Sequence, residues 1–134
     1  MALTKKQREK LFQKFGGKCA YCGCELQKIW HVDHIVPVVR DIEVVKKGKY
    51  WTRQSTNTHS NPHLEIIENL NPACPECNIH KSSLPLEQFR VILSKKLERL
   101  EQSSKDFRFA RKFGQVQLTP SPIIFFFETI SSGE

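Results

Sequence analysis

The chain has no long hydrophobic run. Its longest apolar stretch, Ile123 to Phe127, is only strand-sized, far short of the roughly 20 apolar residues of a membrane-crossing helix. The Lys- and Arg-rich start is not followed by an apolar run, so no secretory leader is expected there. Acidic residues are in deficit: 14 Asp and Glu stand against 21 Lys and Arg, a formal charge of +7. A basic domain suits a polyanion, and nucleic acid is the commonest; a generic basic surface is the plainer alternative. No repeat occurs beyond two Cys-x-x-Cys pairs, Cys19/Cys22 and Cys74/Cys77. No βαβ pattern surrounds them, which counts against thioredoxin-like chemistry. At 134 residues a single domain is expected, with a core small enough for a metal staple to help it.

Two Cys-x-x-Cys knuckles are the usual way for a chain to present four thiolates tetrahedrally, so Cys19, Cys22, Cys74 and Cys77 are expected to bind Zn²⁺. Four protein ligands close such a site, so this zinc is structural. Gly23 permits the tight turn of the first knuckle. Cys24 is left over, as a free thiol or a substitute for Cys22. Cys-x-x-Cys read as metal chemistry fits a reducing, intracellular compartment, here cytoplasmic.

Between the knuckles lies Val32-Asp33-His34-Ile35-Val36-Pro37. It reads as a short strand ended by its proline, within 27–36, with Ile29, Val32 and Ile35 or Val36 as buried candidates. Neighbours on a strand face opposite ways, so Asp33 and His34 look in different directions unless the chain bends. A carboxylate holds a hard cation, and an imidazole can take a proton. Alone, an Asp-His pair is usually just surface polarity.

Thr4-Lys5-Lys6-Gln7 has the form of a capping box and opens a helix over 5–15, with Leu11, Phe12 and Phe15 on its apolar face and Gly16-Gly17 as its stop. Its other face carries Lys5, Lys6, Arg8, Lys10 and Lys14, either solvated or in contact with phosphate. Residues 40–62 are polar and basic and read as an insertion, with 55–62 as loop. In it Lys46, Lys47, Lys49 and Arg53 surround Tyr50-Trp51. Basic residues among aromatics suit phosphate contact with stacking; the alternative is a surface excursion with Trp51 tucked onto the core. Asn78 to Ser83 reads as a short helix. Pro85 opens a longer one with Leu86, Phe89, Leu93, Leu97 and Leu100 on one stripe. Residues 115–119 and 123–129 read as two strands, a C-terminal hairpin, with the phenylalanine run buried. The class expected is α+β.

The order Cys-x-x-Cys, His31-Val32-Asp33-His34-Ile35-Val36-Pro37, Glu68-Asn69-Leu70, Cys-x-x-Cys-Asn-x-x-Lys resembles the HNH endonuclease family over about residues 16–83, in the zinc-bound subgroup common in phages and bacteria. The resemblance implies a ββα-metal (His-Me finger) core, 18–83, stapled by the zinc and flanked by an N-terminal helix (4–17) and a C-terminal helix with strands (84–130). It implies a metal-dependent endonuclease acting on DNA, most naturally double-stranded. By position, His34 falls on the general base and Asp33 on the first metal ligand. Asn69 falls on the residue that ties the loop and helps orient the histidine, and Asn78 on the metal ligand from the helix. Lys81 falls on a basic position near the phosphate. The catalytic ion would be Mg²⁺ or Mn²⁺, which oxygen donors suit. The link from His34 to Asn69 is longer than the family's usual one. His80, two residues past Asn78, faces elsewhere on a helix.

A non-catalytic zinc module that binds nucleic acid is the second reading, and a structural or interaction protein the third. Zinc and charge fit the first two alike; Asp33, His34, Asn69 and Asn78 together favour the enzyme, since binding alone does not require that set. No membrane partner is expected, and monomer and homodimer are both open.

Overall fold

Thr4 caps the first helix as its sequence implies. Its hydroxyl accepts from the Gln7 N–H and the Gln7 side chain accepts from the Thr4 N–H, so α1 runs Lys5–Gln13. The protein is described by a computed structural model over residues 2–37, 40–59 and 66–130, with the side chains of 40–42 and 55–59 outside the description. Beyond α1 come β1 (His31–His34), β2 (Arg40–Lys47), β3 (Tyr50–His59), a 3₁₀ turn (Ile67–Asn69), β4 (Leu70–Ala73), α2 (Pro75–Lys81), α3 (Leu86–Ser94), α4 (Lys96–Ser103), α5 (Lys105–Lys112) and α6 (Phe126–Thr129). The class is α+β. Among the described residues no helix is long and apolar enough to cross a membrane.

Two antiparallel pairs form, β1 with β4 and β2 with β3. The first is short and central, with Asp33 opposite Asn71 and His34 opposite Leu70. All four residues of β4 are buried. Helix α2 follows it directly: Cys74 is the N-cap and Pro75 takes the first turn, where a missing N–H costs nothing. Lys14 binds α1 to this pair, donating to the Leu70 carbonyl (2.8 Å) and to Asn71 Oδ1 (3.0 Å). Burial pushes its ammonium below the usual lysine range. Arg8 lies over the Trp30 ring, 4.1 Å from its centre, and donates to the Trp30 carbonyl. Two of the five cations on the basic face of α1 thus make contacts within the fold.

The core is an aromatic wedge under the first knuckle. Tyr21 meets Phe125 edge-on at 5.5 Å between ring centres, and Phe89 stacks on Phe125 at 5.6 Å. Leu11, Leu26, Trp30 and Leu70 extend it. The C-terminal segment closes over this wedge by backbone bonds, Phe126 N–H to the Tyr21 carbonyl and Phe127 N–H to the Ala20 carbonyl. Arg90 forks onto Glu128 and donates to the Ile123 carbonyl.

Several sequence expectations are corrected. There is no C-terminal hairpin: 115–124 is irregular and Phe126–Thr129 is a short helix, because the phenylalanines pack against the knuckle rather than against another strand. Residues 40–59 form the β2–β3 hairpin, including 55–59, which read as loop. The strand expected over 27–36 is confined to His31–His34, and Ile29 is 72 % exposed. The long helix breaks at Lys95 into α3 and α4, so Leu86, Phe89 and Leu93 reach the core while Leu97 and Leu100 stay exposed. The phenylalanine run is buried in part, with Phe125 inside and its neighbours half-exposed.

Candidate functional site

The fold brings Cys19, Cys22, Cys74 and Cys77 together. Their sulfurs all lie within 4.8 Å of one another. Tetrahedral zinc with Zn–S of about 2.3 Å sets sulfurs about 3.8 Å apart, and the Cys22 and Cys74 sulfurs stand at 3.9 Å. The cluster therefore fits a metal ion such as zinc. Backbone geometry builds it: Gly23 takes φ +77°, a conformation that strains any other residue, and a Cβ there would also crowd the Phe126 ring at 3.0 Å. The Cys77 N–H points at Cys74 Sγ (3.4 Å) and the Tyr21 N–H at Cys19 Sγ (3.4 Å). Hydrogen bonding with Cys77 holds the Cys19 thiol down at about 4, and the same contact pushes Cys77 above the usual thiol range. A divalent cation is what lets four clustered thiols ionise together. Cys24 is exposed and falls outside the four.

Beside the cluster, an open cleft of about 490 Å³ is lined by Val32, Asp33, His34, Pro37, Asn78, Ile79, Ser82 and Ser83. Asp33, His34 and Asn78, 45 residues apart at their extremes in sequence, share its wall because β1 packs on α2. Asp33 is held from behind. Its Oδ2 accepts from the Tyr21 hydroxyl and lies 3.1 Å from Lys81 Nζ. Lys81 also donates to the His34 carbonyl at 2.8 Å. Burial, and then the Asp33 charge, push the Tyr21 phenol well above its ordinary range. Asn69, placed by the 3₁₀ turn, ties down the chain after β1: its Oδ1 accepts from Val36 N–H and its Nδ2 donates to the Val36 carbonyl, both at 2.8 Å. No family model, curated protein or solved structure matches this chain.

Lys81 departs from its expected place near a phosphate. Its side chain is fully buried, spent on Asp33 and the His34 carbonyl, and a lysine there is neutralised by its carboxylate instead of facing solvent. Lys46, Lys47, Lys49 and Arg53 are exposed on the β2–β3 hairpin and do not line the cleft. Trp51 is 69 % exposed, so it is not tucked onto the core. His80 packs edge-on against Phe89 at 5.8 Å, away from the cleft.

Two site residues escaped the sequence reading. Tyr21 lies inside the first knuckle, where its hydroxyl reaches across to Asp33. His31 precedes Asp33 by two, the spacing that puts both on one face of a strand, and its Nδ1 lies 2.8 Å from Asn78 Nδ2. Alternation along β1 was the available signal for His31. Nothing in the spacing announces Tyr21. Chemically, the cleft offers a carboxylate and an amide as oxygen donors and an imidazole beside them.

Proposed function

We propose that this protein is a metal-dependent DNA endonuclease of the HNH type, with β1, β4 and α2 as its ββα core and zinc at the four cysteines as a structural staple. One observation carries the reading: Asp33, His34 and Asn78 line a single open cleft. Asp33 and Asn78 fit a hard divalent ion, Mg²⁺ or Mn²⁺, as oxygen donors. Such an ion, when bound, would offset charge developing on the phosphate and on the leaving oxygen. His34 accepts the proton of the attacking water, whose oxygen bonds to phosphorus as the P–O3′ bond breaks. The products are a 5′-phosphate and a 3′-hydroxyl, whose oxygen takes its proton from solvent. Lys81 and Tyr21 fix the Asp33 carboxylate through Oδ2, and the carboxylate so held would serve a bound ion as an oxygen donor; support of this kind tunes metal ligands. Asn69 pins the chain two residues beyond His34 and so limits its movement.

The second reading, a non-catalytic zinc module that binds nucleic acid, draws on the same pair seen differently. Asp33 already has a cationic partner in Lys81, so the carboxylate is satisfied without an ion.

Supercoiled plasmid incubated with the protein and Mg²⁺, Mn²⁺ or EDTA separates the two. The enzyme reading expects metal-dependent conversion to open-circle or linear DNA, reduced at least about 100-fold in His34→Ala, the lower range for loss of a general base. Plasmid that shifts in a gel but stays supercoiled would favour the binding module. Cleavage that survives His34→Ala would remove His34 from the role of base.

A further inference from the structure

The β2–β3 hairpin has no assigned work in the cleft, yet it is the longest regular pairing in the described fold. It leaves the body just beyond the point where Asn69 clamps Val36. Eight residues of β2 span about 26 Å at the usual strand rise. Gly48, φ +63°, opens the two-residue loop Gly48-Lys49, the place a type II′ turn reserves for glycine. Residues 43–54 are exposed apart from the half-buried Val45. A ribbon so exposed is stabilised by its own cross-strand pairs and presents both faces to solvent.

Register sorts those faces. Lys46 pairs with Trp51 and Val44 with Arg53, so these four share one side. Lys47 pairs with Tyr50, Val45 with Thr52 and Glu43 with Gln54 on the other. The first face is a tryptophan between two cations with no acidic residue among them. Over 43–54 there are four cations, Lys46, Lys47, Lys49 and Arg53, against one carboxylate, Glu43. A major groove admits a two-stranded ribbon of this kind.

We propose that the hairpin is a DNA-binding arm that lies along duplex DNA flanking the cut site, with the Lys46, Trp51 and Arg53 face against the strand. The cations contact phosphates and Trp51 packs on sugar or base. Only the arm's place beside a cut site rests on the nuclease reading; its binding to duplex stands apart from catalysis.

The test is salt-dependent binding of a short mixed-sequence duplex by the full chain, wild type against Lys46→Gln/Lys47→Gln/Lys49→Gln/Arg53→Gln. Each lost phosphate contact should lower the slope of log K against log salt by about 0.9, so about 1.8 for Lys46 and Arg53 on the contacting face, and more only where Lys47 or Lys49 also reaches a phosphate. Raising salt from about 50 to 200 mM should then weaken the variant on the order of 10-fold less than wild type. Trp51→Ala should weaken binding while leaving the slope in place. Zinc content and melting midpoint, compared across variants, report whether the fold is intact. An unchanged slope and affinity in the quadruple variant overturns the arm. So does a wild-type dimer that the quadruple variant dissolves with DNA affinity unchanged, because the ribbon would then be a contact between copies. Wild type that binds with the arm-dependent slope but never cleaves would sink the nuclease and leave the arm standing. Cleavage with an arm-independent slope does the reverse.

Discussion

Lys81 has no exposed surface. An ammonium taken out of water costs several kcal/mol unless it is paired and hydrogen-bonded, and Lys81 answers with Asp33 at 3.1 Å and the His34 carbonyl at 2.8 Å. Its removal strands the Asp33 carboxylate, itself 5 % exposed, with only the Tyr21 hydroxyl. Lys81→Met is expected to cost about 3–5 kcal/mol, the usual price of breaking a buried pair, read as a fall in the urea midpoint. Lys81→Met/Asp33→Asn should recover part of that loss, because the penalty is the unpaired charge. Lys46→Met, on the exposed arm, should change stability by less than about 0.5 kcal/mol. A Lys81→Met protein as stable as wild type would mean that the ammonium is solvated after all. The four cysteines were legible from their spacing; Asp33, His34 and Asn78, which line one cleft, and Asn69 were reached through the family resemblance. The direction of Lys81 was not, since it depends on where a carboxylate 48 residues away comes to rest.

Each cysteine knuckle supplies one partner of Asp33. Tyr21 lies between Cys19 and Cys22, and Lys81 ends the helix that begins between Cys74 and Cys77. A metal at the cysteines therefore holds both anchors of the carboxylate in register, although the sulfurs themselves lie outside the cleft. If the cysteines hold zinc and the cleft a hard ion, as proposed, stripping zinc with a chelator should release Tyr21 and weaken Mn²⁺ binding at the cleft in step with zinc loss. Near-ultraviolet circular dichroism and Mn²⁺ titration, followed on the same samples, check this. Full Mn²⁺ affinity after complete zinc removal would uncouple the two sites. α1 was legible because its capping box agrees with its packing; α2 was expected over 78–83 but runs Pro75–Lys81, because Cys74 caps it from within the second knuckle. The β2–β3 hairpin was hidden because residues 43–54 are exposed on both faces apart from the half-buried Val45, so apolar alternation is weak; Gly48 between Val44-Val45 and Tyr50-Trp51 was its trace. The C-terminal phenylalanines carry strand propensity, but packing against Tyr21 overrides it.

The molecule as a whole folds around one tyrosine. Tyr21 joins the knuckle, the aromatic wedge and the cleft: Phe125 and Phe89 sit edge-on to its ring, Phe126 N–H bonds to its carbonyl, and its hydroxyl donates to Asp33 Oδ2. Burial and the adjacent carboxylate raise its folded pKa above the ordinary value near 10. The folded state then keeps the phenol neutral where the unfolded chain gives its proton up. This contribution is fully present below the unfolded pKa and is lost as pH rises above it, with a slope of about 1.4 kcal/mol per pH unit from one group. Urea unfolding between about pH 9 and 11, wild type beside Tyr21→Phe, isolates it. The variant starts less stable, having lost the bond to Asp33, but its stability should fall less steeply with pH. The phenolate absorbance of Tyr21 should emerge only with unfolding. Equal slopes in the two proteins, or complete tyrosine ionisation in a chain that is still folded, would show that the Tyr21 hydroxyl is open to solvent, and with it the back wall of the cleft that holds Asp33.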